Sequence, residues 1–458
     1  MHPFAIQLND RAVAFARGGR VLSLAPGAVW DGSTGELAGT NAWGALRRHP
    51  TATSTRHLDT LLSKSTVPDR AIALVAAELV RRLAAQAPTS GESVWIAAPA
   101  RATAHGLAAM LAIARKLSLP VDGFVDAAVA SVAALNLDRG AIVLEIGMHH
   151  VAATYTDRDG AQVRRRRTVL TERGGLIAFY QGWLELVSST MVKRTRFDPL
   201  HDAATEQQLF DSLATWAREA AADGSTNARL AKGTESFQVS LTRDQFAQAG
   251  QSIHREIVRL LHELRPAGAP LALVVPELIT HLPGLRDELE QFVDCELLTI
   301  PDGFAAAVVS RLDLPERGAE GVVRLLRRLP TPAQVESGIS ANITRDTLGS
   351  RRGGSASPSH LLLAGQVYAL TGAEPVVLGR APLGARTIKL PDGLAGVSRR
   401  HCTFAQDGNE IMLLDHSSFG TFVNGERVAE RVRVRAGDRV RLGDPGVELA
   451  LISVSDAP

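Results

Sequence analysis

The chain has 458 residues and a formal net charge of +2 at pH 7, because 50 Lys and Arg residues oppose 48 Asp and Glu. That length allows two or three domains with sizeable cores, and the near-neutral charge implies neither a nucleic-acid nor a membrane partner. Cys295 and Cys402 lie far apart in the chain. We expect them to be free buried thiols, as in a reducing cytosol, and not a disulfide.

Membrane and targeting segments are not expected. No apolar run approaches about 18 residues, so the sequence predicts no transmembrane helix. Asn9, Asp10 and Arg11 interrupt the first apolar run, which argues against a signal peptide. We therefore expect a soluble, cytoplasmic protein.

The first 315 residues alternate between short strand-like and longer helix-like segments. Strands are predicted at 4–8, 12–15, 21–24, 93–98, 140–146, 151–155, 162–170, 237–241 and 271–276, and helices at 68–87, 104–117, 126–135, 175–191, 205–222, 242–264, 283–293 and 302–312. Residues 25–66 are rich in Gly, Ser and Thr and predict irregular structure. Hairpins followed by alternating helices and strands occur twice, which predicts an α/β region of two similar halves.

Several of these segments resemble the nucleotide-binding domain of DnaK-type chaperones and the wider actin-like superfamily. The resemblance covers roughly residues 1–315 and is carried by 119–135, by 141–155 with its Glu-Ile-Gly, by Gly174-Gly175, by Phe237–Leu264 and by 271–312. It implies a ribonuclease-H-like fold of two similar halves that binds ATP with Mg²⁺.

The three nucleotide-binding loops implied by this resemblance are degraded. The first phosphate loop reads Gln7-Leu8-Asn9-Asp10 where the family has an Asp followed by Gly-Thr, and a neutral amide is a poor partner for Mg²⁺. The second reads Glu145-Ile146-Gly147-Met148-His149, and its side chains would crowd phosphate. The adenosine loop reads Val275-Pro276-Glu277 where the family has Gly-Gly, and Pro276 has no backbone N–H to donate. We expect an inactive pseudo-ATPase without a cofactor, and weak ATP and Mg²⁺ binding stays open.

Two other features of this region are interpreted as structural. His149-His150 suggests a metal site, but neighbours on a strand point to opposite faces and no Cys or carboxylate cluster accompanies them in sequence. We therefore predict no metal site. Arg164 to Arg167 form a basic run without interleaved aromatic residues, which favours a solvated edge over a nucleic-acid contact.

Residues 316–358 are expected to be a flexible linker. Apolar residues between 322 and 329 predict a short helix that ends at Pro330, and residues 349–355 are rich in Gly, Ser and Arg. Thr331, Thr344 and Thr347 lie in this tether. We hypothesise that a Ser/Thr kinase phosphorylates one of them, so that a neighbouring domain binds its own linker.

The last hundred residues alternate apolar and polar residues over short runs separated by turn signals, which predicts an all-β sandwich. Four motifs follow one another: Gly379-Arg380, Ser398-Arg399-Arg400-His401, Gly420-Thr421-Phe422-Val423-Asn424-Gly425 and Gly437-Asp438-Arg439-Val440-Arg441-Leu442-Gly443. They place a guanidinium and several hydroxyls on strand ends and loops, without an acid–base pair nearby. Such a set suits binding of a multiply charged oxyanion.

In this order and spacing the motifs resemble the forkhead-associated (FHA) domain, which binds phosphothreonine peptides. The resemblance covers roughly residues 359–455 and implies phosphothreonine-binding residues at Arg380, Ser398, Arg399, Ser418 and Thr421. It gives structural roles in the loops to Gly379, His401 and Asn424.

One position departs from that family. Many members have Asn before the Gly of the Gly-Thr pair, and Phe419 stands there in this chain. The loop is one residue shorter than usual, so Ser417 is an alternative to Ser418.

The sequence predicts three parts: an actin-like domain at 1–315, a linker at 316–358 and an FHA domain at 359–458. The function we expect is a phosphothreonine-binding adaptor that recruits a phosphorylated partner made by an upstream Ser/Thr kinase. A nucleotide-dependent, chaperone-like ATPase switch and a purely structural assembly protein are the alternatives. No nucleic-acid partner is expected.

Overall fold

The computed structural model describes the whole chain apart from residues 1, 33–34, 65, 87, 89–90, 136, 267–269, 293–294, 316–323, 332–342, 349–356, 364–365, 445 and 453–458. The chain divides into two compact units. The first comprises residues 1–260, 272–286 and 297–346, and the second comprises 261–271, 287–296 and 347–458. No helix among the described residues is long and apolar enough to cross a membrane.

Residues 4–348 contain both strands and helices. The strands are β1 (Phe4–Gln7), β2 (Ala12–Arg17), β3 (Arg20–Pro26), β4 (Val29–Gly32), β5 (Gly35–Ala38), β6 (Thr53–Ser54), β7 (Val94–Ala98), β8 (Val121–Asp126), β9 (Gly140–Ile146), β10 (Val151–Asp159), β11 (Gln162–Thr171), β12 (Ser225–Lys232), β13 (Glu235–Thr242), β14 (Leu271–Pro276), β15 (Cys295–Ile300), β16 (Arg324–Leu326), β17 (Arg328–Pro330) and β18 (Thr344–Leu348). The helices are α1 (Thr40–Trp43), α2 (His57–Ser63), α3 (Asp69–Ala85), α4 (Ala104–Lys116), α5 (Ala127–Ala134), α6 (Leu176–Thr195), α7 (Ala203–Asp223), α8 (Arg243–Leu264), α9 (Leu285–Leu289) and α10 (Phe304–Val309), with short 3₁₀ helices at Pro199–His201 and Glu277–His281.

Two larger sheets share a strand order over six strands when one is read in reverse, and the second sheet has β17 as an additional edge strand. The first runs β16-β8-β7-β1-β2-β3, and the second runs β17-β11-β10-β9-β14-β15-β18. In each, three consecutive strands form an antiparallel meander, and the first strand of the meander pairs on its other side with a strand that follows a helix. The α/β composition and the two similar halves agree with the sequence prediction.

Alanine-rich helices pack in the core beside these sheets. Helices α5 and α10 are buried along their whole length, and their small side chains pack with Trp95, Val143 and Leu298 from strands of both sheets. Helix α5 is capped by Asp126, whose carboxylate accepts hydrogen bonds from the N–H groups of Ala128 and Val129 at 3.1 and 3.2 Å. This side-chain cap explains why a helix starts immediately after β8.

Three predictions for this region are wrong or incomplete. Residues 25–66 hold β4, β5, β6, α1 and α2 instead of irregular structure. Residues 324–330 form β16 and β17 instead of a helix, because pairing of these short apolar runs with neighbouring strands outweighs their helical spacing. Thr344 and Thr347 lie in β18 and the Thr331 hydroxyl donates to the Ala161 carbonyl, so these positions are ordered and not part of a free tether. Residues 349–355 lie outside the described residues.

The basic run Arg164 to Arg167 lies on β11 and is engaged in ion pairs. Arg164 and Arg166 contact Asp157, and the Arg165 guanidinium donates to Asp126 at 2.8 Å and to the Ala100 carbonyl at 3.1 Å. The guanidinium of Arg165 therefore ties the hairpin to the start of α5.

The C-terminal residues of the second unit form a β-sandwich. Its strands are β19 (His360–Leu363), β20 (Gln366–Ala369), β21 (Val376–Gly379), β22 (Arg386–Lys389), β23 (Cys402–Asp407), β24 (Glu410–Asp415), β25 (Thr421–Val423), β26 (Glu426–Arg427), β27 (Arg431–Val434), β28 (Arg439–Leu442) and β29 (Val447–Ile452). One sheet runs β20-β19-β29-β28-β25-β26 and the other β22-β21-β23-β24-β27. Apolar side chains from both sheets form one core that includes Phe404, Leu413 and the free thiol of Cys402.

Candidate functional site

Arg380 follows directly after β21, where backbone bonds fix the position of its main chain. Its N–H donates to the Ser398 carbonyl at 3.1 Å, and its guanidinium Nε donates to the Val397 carbonyl at 2.6 Å. The two terminal Nη groups make no hydrogen bond to any residue that the structure describes. The Arg380 side chain is therefore half-buried and its guanidinium is held at one nitrogen, so the two outer amino groups remain available to a ligand.

Ser398 and Ser418 come from two different loops and meet near Arg380. We call the surface formed by these three residues the rim. The Ser418 N–H donates to the Ser398 Oγ at 3.1 Å, so the Ser398 hydroxyl hydrogen is free to donate elsewhere. Ser418 is exposed, whereas Ser417 is half-buried and donates its N–H to the Asp415 carboxylate at 2.9 Å. Of the two alternatives from the sequence, Ser418 is the one that lies with Ser398.

His401 connects the two loops from the interior of the sandwich. It is fully buried; its Nδ1 accepts the Ser398 N–H at 3.0 Å, and its Nε2 lies 3.2 Å from the Gly420 carbonyl. These contacts assign the proton to Nε2 and leave Nδ1 as the acceptor. Desolvation lowers the pKa of His401 although the Gly420 carbonyl and Asp415 raise it, so the neutral ring is favoured. One imidazole thereby fixes both Ser398 and the turn that carries Ser418.

Thr421 does not reach the rim, which corrects the role that the resemblance implied for it. The residue is fully buried, its hydroxyl donates to Asp415 at 2.8 Å, and its N–H donates to the same carboxylate at 3.2 Å. Burial raises the pKa of Asp415, but hydrogen bonds from Ser417 and Thr421 lower it below its ordinary value. Buried Thr421 and half-buried Asp415 brace the loop together. The alternation of a short strand turns the Thr421 side chain inward.

Gly379 and Asn424 occupy positions with tight backbone requirements. A Cβ atom on Gly379 would lie 2.0 Å from the Arg399 carbonyl oxygen, so only glycine lets β21 approach this loop. Asn424 has a φ of 51°, and its side chain bonds Asp438 and the Arg439 N–H at 2.8 and 2.9 Å. This side chain stabilises a left-handed turn that shapes the hairpin between β25 and β26.

Arg399 and Phe419 flank the rim and are exposed. The Arg399 carbonyl accepts the Ala381 N–H at 2.9 Å, and its side chain makes no hydrogen bond within the described part of the chain. Phe419, which replaces the Asn of many family members, is 55% exposed. An exposed ring cannot provide the amide hydrogen bonds of Asn, so it offers apolar contact in its place.

A β-sandwich whose rim presents a guanidinium and two serine hydroxyls defines the class of this second unit, and comparison with known families agrees. The family model of the FHA domain matches residues 376–443, so the chain contains an FHA domain there. FHA domains bind phosphothreonine-containing partners, and the match supports a role for this chain in protein interaction. No curated protein matches the chain.

In the first unit, the loops that the sequence assigned to phosphate use their donors internally. The N–H groups of Met148 and His149 donate to the Asp10 carboxylate at 2.8 and 3.3 Å. The first N–H groups of α6, from Leu176 and Ile177, donate to the carbonyls of Gly147 and Met148. Backbone donors at a helix start normally suit an anion, and here protein groups already accept these hydrogen bonds.

His149 and His150 do not occupy the strand positions that the sequence predicted for them. Both residues lie in the turn between β9 and β10 and not on a strand, and His150 is surrounded by carboxylates. Asp10, Asp59 and Glu145 face it from three other segments. No local sequence pattern joins Asp10 and Asp59 to His150, because both aspartates are far from it in the chain.

Proposed function

We propose that this chain is a phosphothreonine-reading adaptor that recruits a phosphorylated partner through Arg380, Ser398, Ser418 and Arg399. A phosphate monoester carries about −1.5 to −2 charge at neutral pH. The two outer amino groups of Arg380 match two of its oxygens in parallel charge-assisted hydrogen bonds, and the serine hydroxyls supply further donors. The anchored guanidinium with free Nη groups carries this proposal.

The hydrogen bonds of two ionisable groups at the rim also support the adaptor role. His401 is buried and occupied at both ring nitrogens, and Asp415 bonds Ser417 and Thr421. Neither group is placed to abstract a proton from a bound ligand, which supports binding as the proposed role of the rim.

For the first unit we propose an actin-like, DnaK-like scaffold without ATPase activity. The repeated strand order supports the fold. The internal use of the Met148 and His149 N–H groups and the ion pair of Arg11 with Asp302 support inactivity, since these groups line the loops that would contact phosphates.

The test of the adaptor role is binding of a phosphothreonine peptide library to the full chain and to Arg380→Ala. Loss of a charge-assisted bidentate contact should weaken binding by about 2–5 kcal/mol, or roughly 30-fold to several thousandfold. Arg433→Ala is the matched control, because it removes the same charge from an exposed residue that forms a surface ion pair with Glu410. Equal binding by Arg380→Ala and the parent would refute the site assignment.

The library should include peptides that carry phosphate on Thr331, Thr344 and Thr347, which tests self-recognition in the same assay. A cavity of about 410 Å³ in the first unit, lined by Trp43, Tyr180, Trp183 and Phe210 among others, keeps the ATPase switch as the rival function. Calorimetric titration with ATP and Mg²⁺ separates the two, since tight binding or turnover favours the rival.

A further inference from the structure

Three side chains from distant segments of the first unit converge in its interior. Asp10 follows β1, Asp59 lies on α2, and His150 ends the turn before β10. His150 Nδ1 lies 3.7 Å from Asp10 Oδ2 and 3.6 Å from Asp59 Oδ1, and one ligand atom from each residue lies within 4.8 Å of the others. The side chains are only 3%, 2% and 8% exposed for His150, Asp10 and Asp59.

The orientation of the His150 ring is set by a fourth residue. Its Nε2 lies 3.1 Å from Glu145 Oε1. A carboxylate accepts the Nε2–H, so the neutral ring presents the lone pair of Nδ1 to Asp10 and Asp59. Nδ1 is buried and makes no hydrogen bond with any described residue. A lone pair that faces two carboxylates in the protein interior is unfavourable unless a cation lies between them.

The distances distinguish a shared ion from hydrogen bonds. An N–H···O bond spans about 2.7–3.2 Å, which is shorter than both separations from Nδ1. Two ligands that are each about 2.1 Å from one tetrahedral ion lie about 3.4 Å apart. The observed 3.6 and 3.7 Å fit the second arrangement with little adjustment.

The charged groups around His150 favour a divalent cation. Asp10, Asp59 and Glu145 bring three negative charges, and Arg101 Nη1, 2.5 Å from Asp59 Oδ1, is the guanidinium in direct contact. Arg56 also acts electrostatically on Asp59 and Arg11 on Asp10, so the three carboxylates are partly neutralised when the imidazole is neutral. A Cβ atom on Gly147 would lie 2.4 Å from His150 Cε1 and 2.6 Å from Asp10 Oδ1, so glycine keeps the space beside these ligands open.

We propose that Asp10, Asp59 and His150 bind a divalent transition-metal ion of the Zn²⁺ or Mn²⁺ type. Glu145 acts as a positioning residue, because a carboxylate on the far ring nitrogen fixes the tautomer and raises the basicity of the ligating one. One imidazole with two carboxylates suits these ions better than Ca²⁺, which takes six to eight oxygen ligands. The ion joins the loop after β1, α2 and the β9–β10 turn, and the depth of the site indicates a structural role.

A proton on His150 Nδ1 is the alternative to a metal ion between the imidazole and the two aspartates. Burial lowers the pKa of His150, attraction to Asp10 and Glu145 together with the hydrogen bond to Glu145 raises it, and the balance is a pKa of about 9. Direct measurement of metal binding decides between the two occupants.

The experiment titrates the full chain, stripped with a chelator and desalted, with Zn²⁺, Mn²⁺ and Mg²⁺ by calorimetry, and records thermal unfolding with and without metal. The parent should bind one equivalent of Zn²⁺ or Mn²⁺ more tightly than Mg²⁺ and unfold at a higher temperature when loaded. Asp59→Asn and His150→Ala should each lower affinity by roughly 100-fold or more, and Glu145→Gln by about 10- to 100-fold.

His105→Ala is the matched control, since it removes an exposed imidazole from α4 and should leave the affinity unchanged. Circular dichroism of each variant confirms folding, and the near-isosteric Asp59→Asn keeps the test valid if His150→Ala does not fold. The proposal is overturned if the folded parent binds no Zn²⁺ or Mn²⁺ at millimolar concentration, or if Asp59→Asn binds as tightly as the parent.

Discussion

Replacement of His401 by alanine tests how the rim is built. The imidazole holds the Ser398 N–H at 3.0 Å and lies 3.2 Å from the Gly420 carbonyl, in a fully buried position. A buried polar group left without a partner costs about 1–3 kcal/mol, and truncation of a buried ring adds a cavity term. We therefore expect His401→Ala to destabilise the sandwich by roughly 3–5 kcal/mol.

The replacement of His401 should also weaken ligand binding. Without the imidazole, nothing in the described structure bridges the Ser398 N–H to the Gly420 carbonyl, so the rim loses its preorganised spacing. A phosphothreonine peptide should then bind about tenfold more weakly or worse, since ordering of the two loops is added to the free energy of binding. Arg380 keeps its own bonds to Ser398 and Val397, so residual binding is expected.

The assay has to report on the sandwich alone. All five tryptophans precede residue 217, so their fluorescence follows the first unit. Hydrogen exchange of peptides from β23 and β24, measured by mass spectrometry on the full chain, gives the local free energy of opening. His416→Ala is the control: this exposed imidazole lies 3.0 Å from the Thr403 hydroxyl, and we expect a change below about 1 kcal/mol. The reasoning is refuted if His401→Ala exchanges and binds like the parent.

Two further predictions concern the same unit. The pKa of Asp415 is lowered in the folded state, so its contribution to stability is complete above the unfolded pKa of about 3.9 and is lost as pH falls through the folded value. Asp415→Asn should therefore lower the melting temperature at pH 7. Calorimetry should show this difference in melting temperature shrinking below pH 3. Gly379→Ala should destabilise the sandwich by about 2–3 kcal/mol, because its Cβ would lie 2.0 Å from the Arg399 carbonyl oxygen. Gly393→Ala, with nothing within 4 Å of its Cβ, should be nearly neutral in the same unfolding measurement. Equal melting of Gly379→Ala and Gly393→Ala would contradict the close approach.

Local sequence determined much of the secondary structure. β9 and β14 have the bounds that their apolar runs predicted, and the cap of α8 follows from Thr242 and Gln245, whose side chains bond each other's N–H groups at 3.3 and 2.9 Å. Such features depend on neighbours a few residues apart. The missed elements, such as β8 and β16, are held by partners far away in the chain.

The sequence by itself determined the rim of the second unit, because the motifs around Arg380, Ser398 and Ser418 occur in short loops with fixed spacing. Only the tertiary structure decided that Thr421 is buried and that His150 meets Asp10, whose carboxylate binds a backbone N–H 138 residues away. Spacing along a chain specifies strands and turns, but contact between distant segments depends on how sheets and helices pack. That packing brings a histidine and two aspartates of unrelated segments to one point in the core.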